Sequence, residues 1–191
     1  NSLADLIPAD PRIRYVRTSS SSVAVKRNLG CSLAGGEYIA HWDDETWYSP
    51  QRLAAQVHEL QSSGAEVAAL DRLLHYQPLT GRVWQRETNG PGRKAPHPGT
   101  LLYRRAYWHE NHVSDGTRDG TPEFLRRVPP NRLAIQDGSC LAVAVLVGSG
   151  TSGVNPSDPC WQPRPFAELS RTLALDLEFY ARLRGGQAPG G

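Results

Sequence analysis

Residues 37–50 read EYIAHWDDETWYSP, and the reading of this stretch decides the rest. An apolar run from Glu37 to Trp42, with Tyr38 and Ile39 inward, has the length and composition of a buried strand. It stops at Asp43, Asp44 and Glu45, adjacent carboxylates that repel one another and stay ionised only with water, a cation or hydrogen-bond donors at hand. Ser49-Pro50 then supplies the N-cap serine and N1 proline of a helix start, and Leu53, Val57 and Leu60 recur at helical spacing until Ser63-Gly64. A surface turn ahead of a helix N-terminus accounts for the three acids through a favourable dipole interaction. A metal site accounts for them equally well.

Working outward, Ile13 to Val16 is a short β-prone run after the turn-forming ADPR, and TSSSS leads into a helical pattern with Val25, Leu29 and Leu33 on one face. Ser21 or Ser22 caps that helix and Gly35-Gly36 ends it. Strand, helix and strand in this order predict a parallel α/β sheet with a right-handed crossover. Downstream, Glu66–Leu70 and Thr100–Tyr103 read as strands, Arg104–Trp108 as a short helix, and Arg86–Pro98 as a loop or lid. A helix at Pro122–Arg127 and strands at Leu133–Ile135 and Cys140–Val147 follow. Phe166, Leu169, Leu173, Leu177, Tyr180 and Leu183 make one long amphipathic stripe.

The 191 residues, 39% apolar and 21% charged, suffice for one domain, expected over residues 1–184 with a disordered tail at 185–191. A net charge of +2 points to neither a nucleic-acid nor a membrane surface. Three cysteines without C-x-x-C spacing suggest no disulfide framework or zinc site, and no apolar run reaches transmembrane length, so a cytoplasmic chain is expected, with peripheral membrane association compatible. The chain has no methionine and opens with NSLADLIPADPRIRYV, which reads as the middle of a fold.

In a parallel α/β sheet ligands bind outside the carboxyl ends of strands, where Asp43 to Glu45 fall. Hard cations there take one or two carboxylates plus substrate phosphates.

The continuous block KRNLGCSLAGGEYIAHWDDETWYSPQRL, Lys26 to Leu53, resembles the inverting family 2 glycosyltransferases of GT-A fold. These share, in the same order, an Arg-Asn-x-Gly helix, a Gly-Glu-Tyr-Ile strand, an acidic cluster, a Trp and a Pro-x-x-Leu helix. The resemblance implies a GT-A-like, mixed and mostly parallel α/β sheet flanked by helices and incomplete at its N-terminus. It implies Mg²⁺ or Mn²⁺ on Asp43 and Glu45, and a nucleotide-diphosphate sugar donor contacted by Lys26, Arg27, Asn28, Asp43 and Asp44. The acceptor is a glycan, lipid or protein of unknown identity.

Departures from the pattern carry information too. Glu45 stands where the family commonly has Asp. The Pro-Thr-x-Asn-Arg strand and a second acidic strand, which begin family members, do not precede Asn1. The Gly-Glu-Asp motif that carries the acceptor base corresponds to GTRDGTPEFLRR, in which Asp119 is the preferred base because it lies in a turn. In VLVGSGTSG, Val147 and Gly150 replace a His and an Asn, while Thr151 and Ser152 remain. Two readings follow: a metal-dependent glycosyltransferase, or a catalytically inactive homologue that serves as a binding module.

Overall fold

The computed structural model describes residues 4–20, 22–87, 96–114, 121–146, 155 and 157–182. Helix α1 (Val23–Leu33) starts where the Ser22 hydroxyl accepts from the Val25 amide at 3.3 Å. Its buried residues are Ala24 and Cys31, not the expected stripe of Val25, Leu29 and Leu33. Small side chains face inward, and Leu29 and Leu33 instead line an open groove against residues 11–18. Tyr15 and Val16 on the far wall and Ile13 beside them are exposed and join no ladder among the described residues, so the expected first strand does not form.

The opening stretch yields two strands, β1 (Tyr38–Ala40) and β2 (Thr46–Tyr48), before helix α2 (Arg52–Ser63). That helix ends on Gly64 at φ 72°, a left-handed conformation that favours glycine. It buries Arg52, Gln56 and Leu60 at i, i+4, i+8, whereas Leu53 is exposed.

Strand β3 (Val67–Asp71) follows, then an unanticipated hairpin of β4 (Leu74–Gln77) and β5 (Arg82–Arg86) turning at Gly81, φ 69°. Strand β6 (Leu102–Arg104), helices α3 (Arg105–Glu110) and α4 (Thr121–Arg127), and strands β7 (Leu133–Asp137) and β8 (Ala142–Val145) fall close to the predicted positions. An unpredicted β9 (Trp161–Arg164) precedes the C-terminal helices. The single long helix expected there is two, α5 (Phe166–Leu173) and α6 (Leu177–Arg182), parted by a 3₁₀ turn beginning at Ala174, φ 46°. Leu183, the expected tail, most of the lid and residues 147–153 lie outside the described residues.

Among the described residues the strands form two sheets, ordered β1-β6-β3-β7 and β2-β8-β4-β5-β9. The mixed α/β architecture is the expected one, but antiparallel ladders predominate. Only β3–β7 and β4–β8 pair in parallel. β6 inserts between β1 and β3 and runs against both, and the predicted crossover from residues 13–16 through α1 to β1 is not made because that first run forms no strand.

Helices cover both faces of the first sheet. Ile39, Val67 and Tyr103 pack with residues of α1, α3 and α4, while Ala68, Leu102 and Ala134 pack under Leu60 of α2. Neighbouring residues of one strand can therefore both be covered, as are Tyr38 and Ile39. The second sheet rests Leu74, Tyr76, Val83 and Val143 on Leu169 and Leu173 of α5, and Tyr48, Leu70, Leu73 and Ala142 fill the junction between sheets.

The face of α2 is directly testable. Leu60→Ala should cost about 2–5 kcal/mol in urea denaturation through the cavity it leaves, whereas Leu53→Ala should stay within about 0.5 kcal/mol. The reverse order would contradict the packing described.

Candidate active site at the sheet crossing

Strands β1 and β3 both oppose β6, and β7 parallels β3, so the carboxyl ends of β1, β3 and β7 share one edge. At this edge the chain leaves the first sheet after β1 and enters the second at β2, through Asp43, Asp44 and Glu45. The Thr46 amide donates to the Asp43 carbonyl at 3.3 Å and the Val145 amide to the Glu45 carbonyl at 2.8 Å. Asp44 and Glu45 are exposed, and Asp43 is half-buried.

The strand order leaves the segment His97–Leu101 to brace this turn from below. Thr100, fully buried, accepts from the Leu70 amide at 2.9 Å and donates to the His97 carbonyl at 2.7 Å. Its carbonyl takes a 2.9 Å bond from Gln56 of α2. The His41 amide donates to the Leu101 carbonyl at 2.8 Å. Tyr48 joins brace to turn: its hydroxyl donates to the Gly99 carbonyl at 2.7 Å and accepts from the Asp43 amide at 3.2 Å. A Cβ at residue 99 would overlap the Asp43 carboxylate, so the glycine is required for close approach, not for its dihedral freedom.

Two arginines flank the acids. Arg27 of α1 places Nη2 3.6 Å from Asp43 Oδ1 and hydrogen-bonds Thr121 at the start of α4 through Nη1. Arg52, absent from the sequence-based candidates, lies wholly buried with its guanidinium carbon 4.1 Å from the Tyr48 ring centre and 5.1 Å from that of Trp42. Burial pushes its pKa down, opposed by Tyr48 and Asp43. Its place at a helix start after an aromatic pair was the signal available in the sequence.

The other candidates divide. Lys26 is exposed and lines the groove behind α1, one residue away from Arg27 yet on another face. The Asn28 amide is used internally, donating to the Val113 carbonyl at 2.8 Å and accepting from Trp108 Nε1 and the Val113 amide at 3.0 Å. Trp47 donates to Asp176 at 2.8 Å and packs beside the second core. Asp119 lies outside the described residues; Thr121, two positions on, is the residue bonded by Arg27.

Beneath the turn His41 Nε2 is 2.8 Å from the Tyr103 hydroxyl, itself 3.3 Å from Cys31 Sγ. Burial, aided by the Arg27 charge, pushes the His41 imidazole from 6.5 down to about 3. The Tyr103 phenol is pushed up by burial and by Cys31.

Among the described residues no three His, Cys, Asp or Glu side chains converge. The donor set offered by the turn is one half-buried carboxylate, Asp43, with two exposed ones beside it. Such an all-oxygen set suits a hard cation that completes its shell with phosphate oxygens and water.

The family model described as "Glycosyl transferase family 2" matches residues 1–118, more than half of the chain, and the chain belongs to that family. No curated protein matches it. Among solved structures, S. aureus TarS residues 1–349 in complex with UDP-GlcNAc is similar at TM-score 0.50 and 15% identity, over 85% of this chain and 48% of that one. A second structure of TarS 1–349 gives TM-score 0.47 at 13% identity, over 68% of this chain and 42% of that one. The chain thus spans less than half the length of these structures, and the fold is GT-A-like as the sequence implied. No helix among the described residues is long and apolar enough to cross a membrane.

The two buried histidines set an acid limit on stability. Burial, then the neighbouring His97, pushes His75 from 6.5 down to about 4. The unfolded chain takes up protons near pH 6.5, while His41 and His75 stay neutral in the fold until about 3 and about 4. Their contribution is therefore whole above pH 6.5 and is lost as pH falls toward 4. The unfolding free energy from urea denaturation should fall over this range by up to about 1.4 kcal/mol per pH unit for each histidine, and His75→Gln should shallow the slope. A slope unchanged by that substitution would count against it.

Proposed function

We infer that this family 2 chain transfers a sugar from a nucleotide-diphosphate donor to an acceptor hydroxyl, with Mg²⁺ or Mn²⁺ at the sheet crossing. The observation that carries this reading is the acidic turn at a strand end, with the Asp43 carboxylate held against Gly99 and faced by Arg27. Asp43 and Glu45 would hold the cation, which supplies Lewis-acid stabilisation of the charge developing on the departing diphosphate. Arg27 adds fixed positive charge on the α1 side, and Asp44 stands beside the donor. Asn28 contributes by tying α1 to Val113 and Trp108.

Asp119 is the proposed base: its carboxylate takes the proton of the acceptor hydroxyl as the oxygen attacks the anomeric carbon, and a single displacement inverts that centre. TarS, bound to UDP in one structure and UDP-GlcNAc in another, supports a uridine donor as the first to try. A cytoplasmic setting agrees with Cys31, Cys140 and Cys160 forming no disulfide among the described residues. The acceptor stays open among glycan, lipid and protein.

Calorimetric titration with UDP and Mn²⁺ tests the reading. Mn²⁺ should strengthen UDP binding, and Asp43→Ala or Glu45→Ala should abolish that metal-dependent part, with thermal melting largely unchanged. UDP binding that Mn²⁺ does not strengthen, or equal metal-dependent binding by all three proteins, would overturn it. Metal-dependent binding without sugar transfer or donor hydrolysis would select the non-catalytic binding module, the reading favoured by the absence of a Gly-Glu-Asp motif in GTRDGTPEFLRR.

A further inference from the structure

Arg52 is 0% exposed, and its Nε donates to Gln56 Oε1 at 2.9 Å, but Nη1 and Nη2 have no hydrogen-bond partner among the described residues. Buried charges are normally paired and their donors satisfied. The aromatic contacts with Tyr48 and Trp42 offset part of the desolvation and leave the outer N–H groups of the fork unused. The acid nearest in the network, Asp43, directs its carboxylate to Arg27 and Gly99. One of the two rings against the guanidinium belongs to Trp42, which is 57% exposed. An unsatisfied buried cation thus lies behind a side chain that is itself mostly in solvent, at the first residue before the acidic turn.

We propose that Trp42 covers a phosphate-binding site whose donor is Arg52. Turning the indole away from Tyr48, whose ring it meets at 4.4 Å, would uncover the guanidinium that lies 5.1 Å from the indole ring centre. Its planar fork matches two oxygens of one phosphate group, a match that a lysine cannot reproduce. The site itself needs no metal. In naming the sugar-nucleotide diphosphate as its natural occupant it rests on the function proposed above; free inorganic phosphate offers the same chemistry.

Titration calorimetry of the full chain in EDTA, with inorganic phosphate, pyrophosphate and UDP as separate probes, tests the site. Trp42→Ala should bind pyrophosphate about fivefold or more tighter than wild type, because the cover no longer taxes binding. Adding Arg52→Met should remove about tenfold or more of that affinity, with Arg52→Lys in between. Should the methionine variant fail to fold, the Trp42→Ala, Arg52→Lys pair carries the comparison, since lysine keeps the buried charge and loses the fork. A Trp42→Ala protein that binds no tighter, or a double variant that binds as tightly as Trp42→Ala alone, overturns the proposal. A gain for pyrophosphate and UDP but not inorganic phosphate identifies the diphosphate source, and an equal gain for all three identifies a single phosphate group. Because these titrations contain no metal, the site can fail while manganese-dependent UDP binding stands, and the reverse.

Discussion

The chain must pass from one sheet to the other within five residues, 41–45, and the rest of the structure accommodates that crossing. Backbone hydrogen bonds pin it on each side, His41 to Leu101 before it and Glu45 to Val145 after it. A turn so short cannot bury its own polar groups, so a second segment is brought underneath. Thr100 anchors that segment to β3, Gln56 ties it to α2, and Tyr48 closes the space between brace and turn. Gly99 is the close approach that this stack requires, because any side chain there would take the place of the Asp43 carboxylate.

The same constraint organises the charges. Of three adjacent acids only Asp43 turns inward, and two cations stand around it: Arg27, half-buried and reaching on to Thr121, and Arg52, wholly buried beneath aromatic rings. In a partly desolvated setting such charges interact more strongly than they would in water. The edge is therefore electrostatically poised, with outward carboxylates for a cation and inward guanidinium groups for an anion. That combination suits a ligand carrying both, as a metal diphosphate does.

Much of this was legible beforehand. β1, β3 and β6 were readable as short apolar runs, α2 from its Ser-Pro start and Ser63-Gly64 end, and the acidic turn from its place between a strand and that helix. The inward faces of α1 and α2 were not. Hydrophobicity pointed to Leu29, Leu33 and Leu53, yet the helices bury Ala24, Cys31, Arg52 and Gln56. On α2, Arg52 and Gln56 meet the polar crossing, whereas Ala24 and Cys31 of α1 pack into the hydrophobic core, where small side chains allow close approach. β2, β4, β5 and β9 escaped notice because they interleave polar and charged residues with apolar ones and present no continuous apolar run.

The sequence by itself determined the family, the mixed α/β class, the acidic turn and its position at a strand end, since these depend on local order along the chain. Tertiary structure alone decided that the turn joins two sheets, that β6 divides β1 from β3, and that Arg52 lies under Trp42 and Tyr48. Strand order and the partner of a buried charge depend on contacts between residues distant in sequence. Local periodicity holds no record of them.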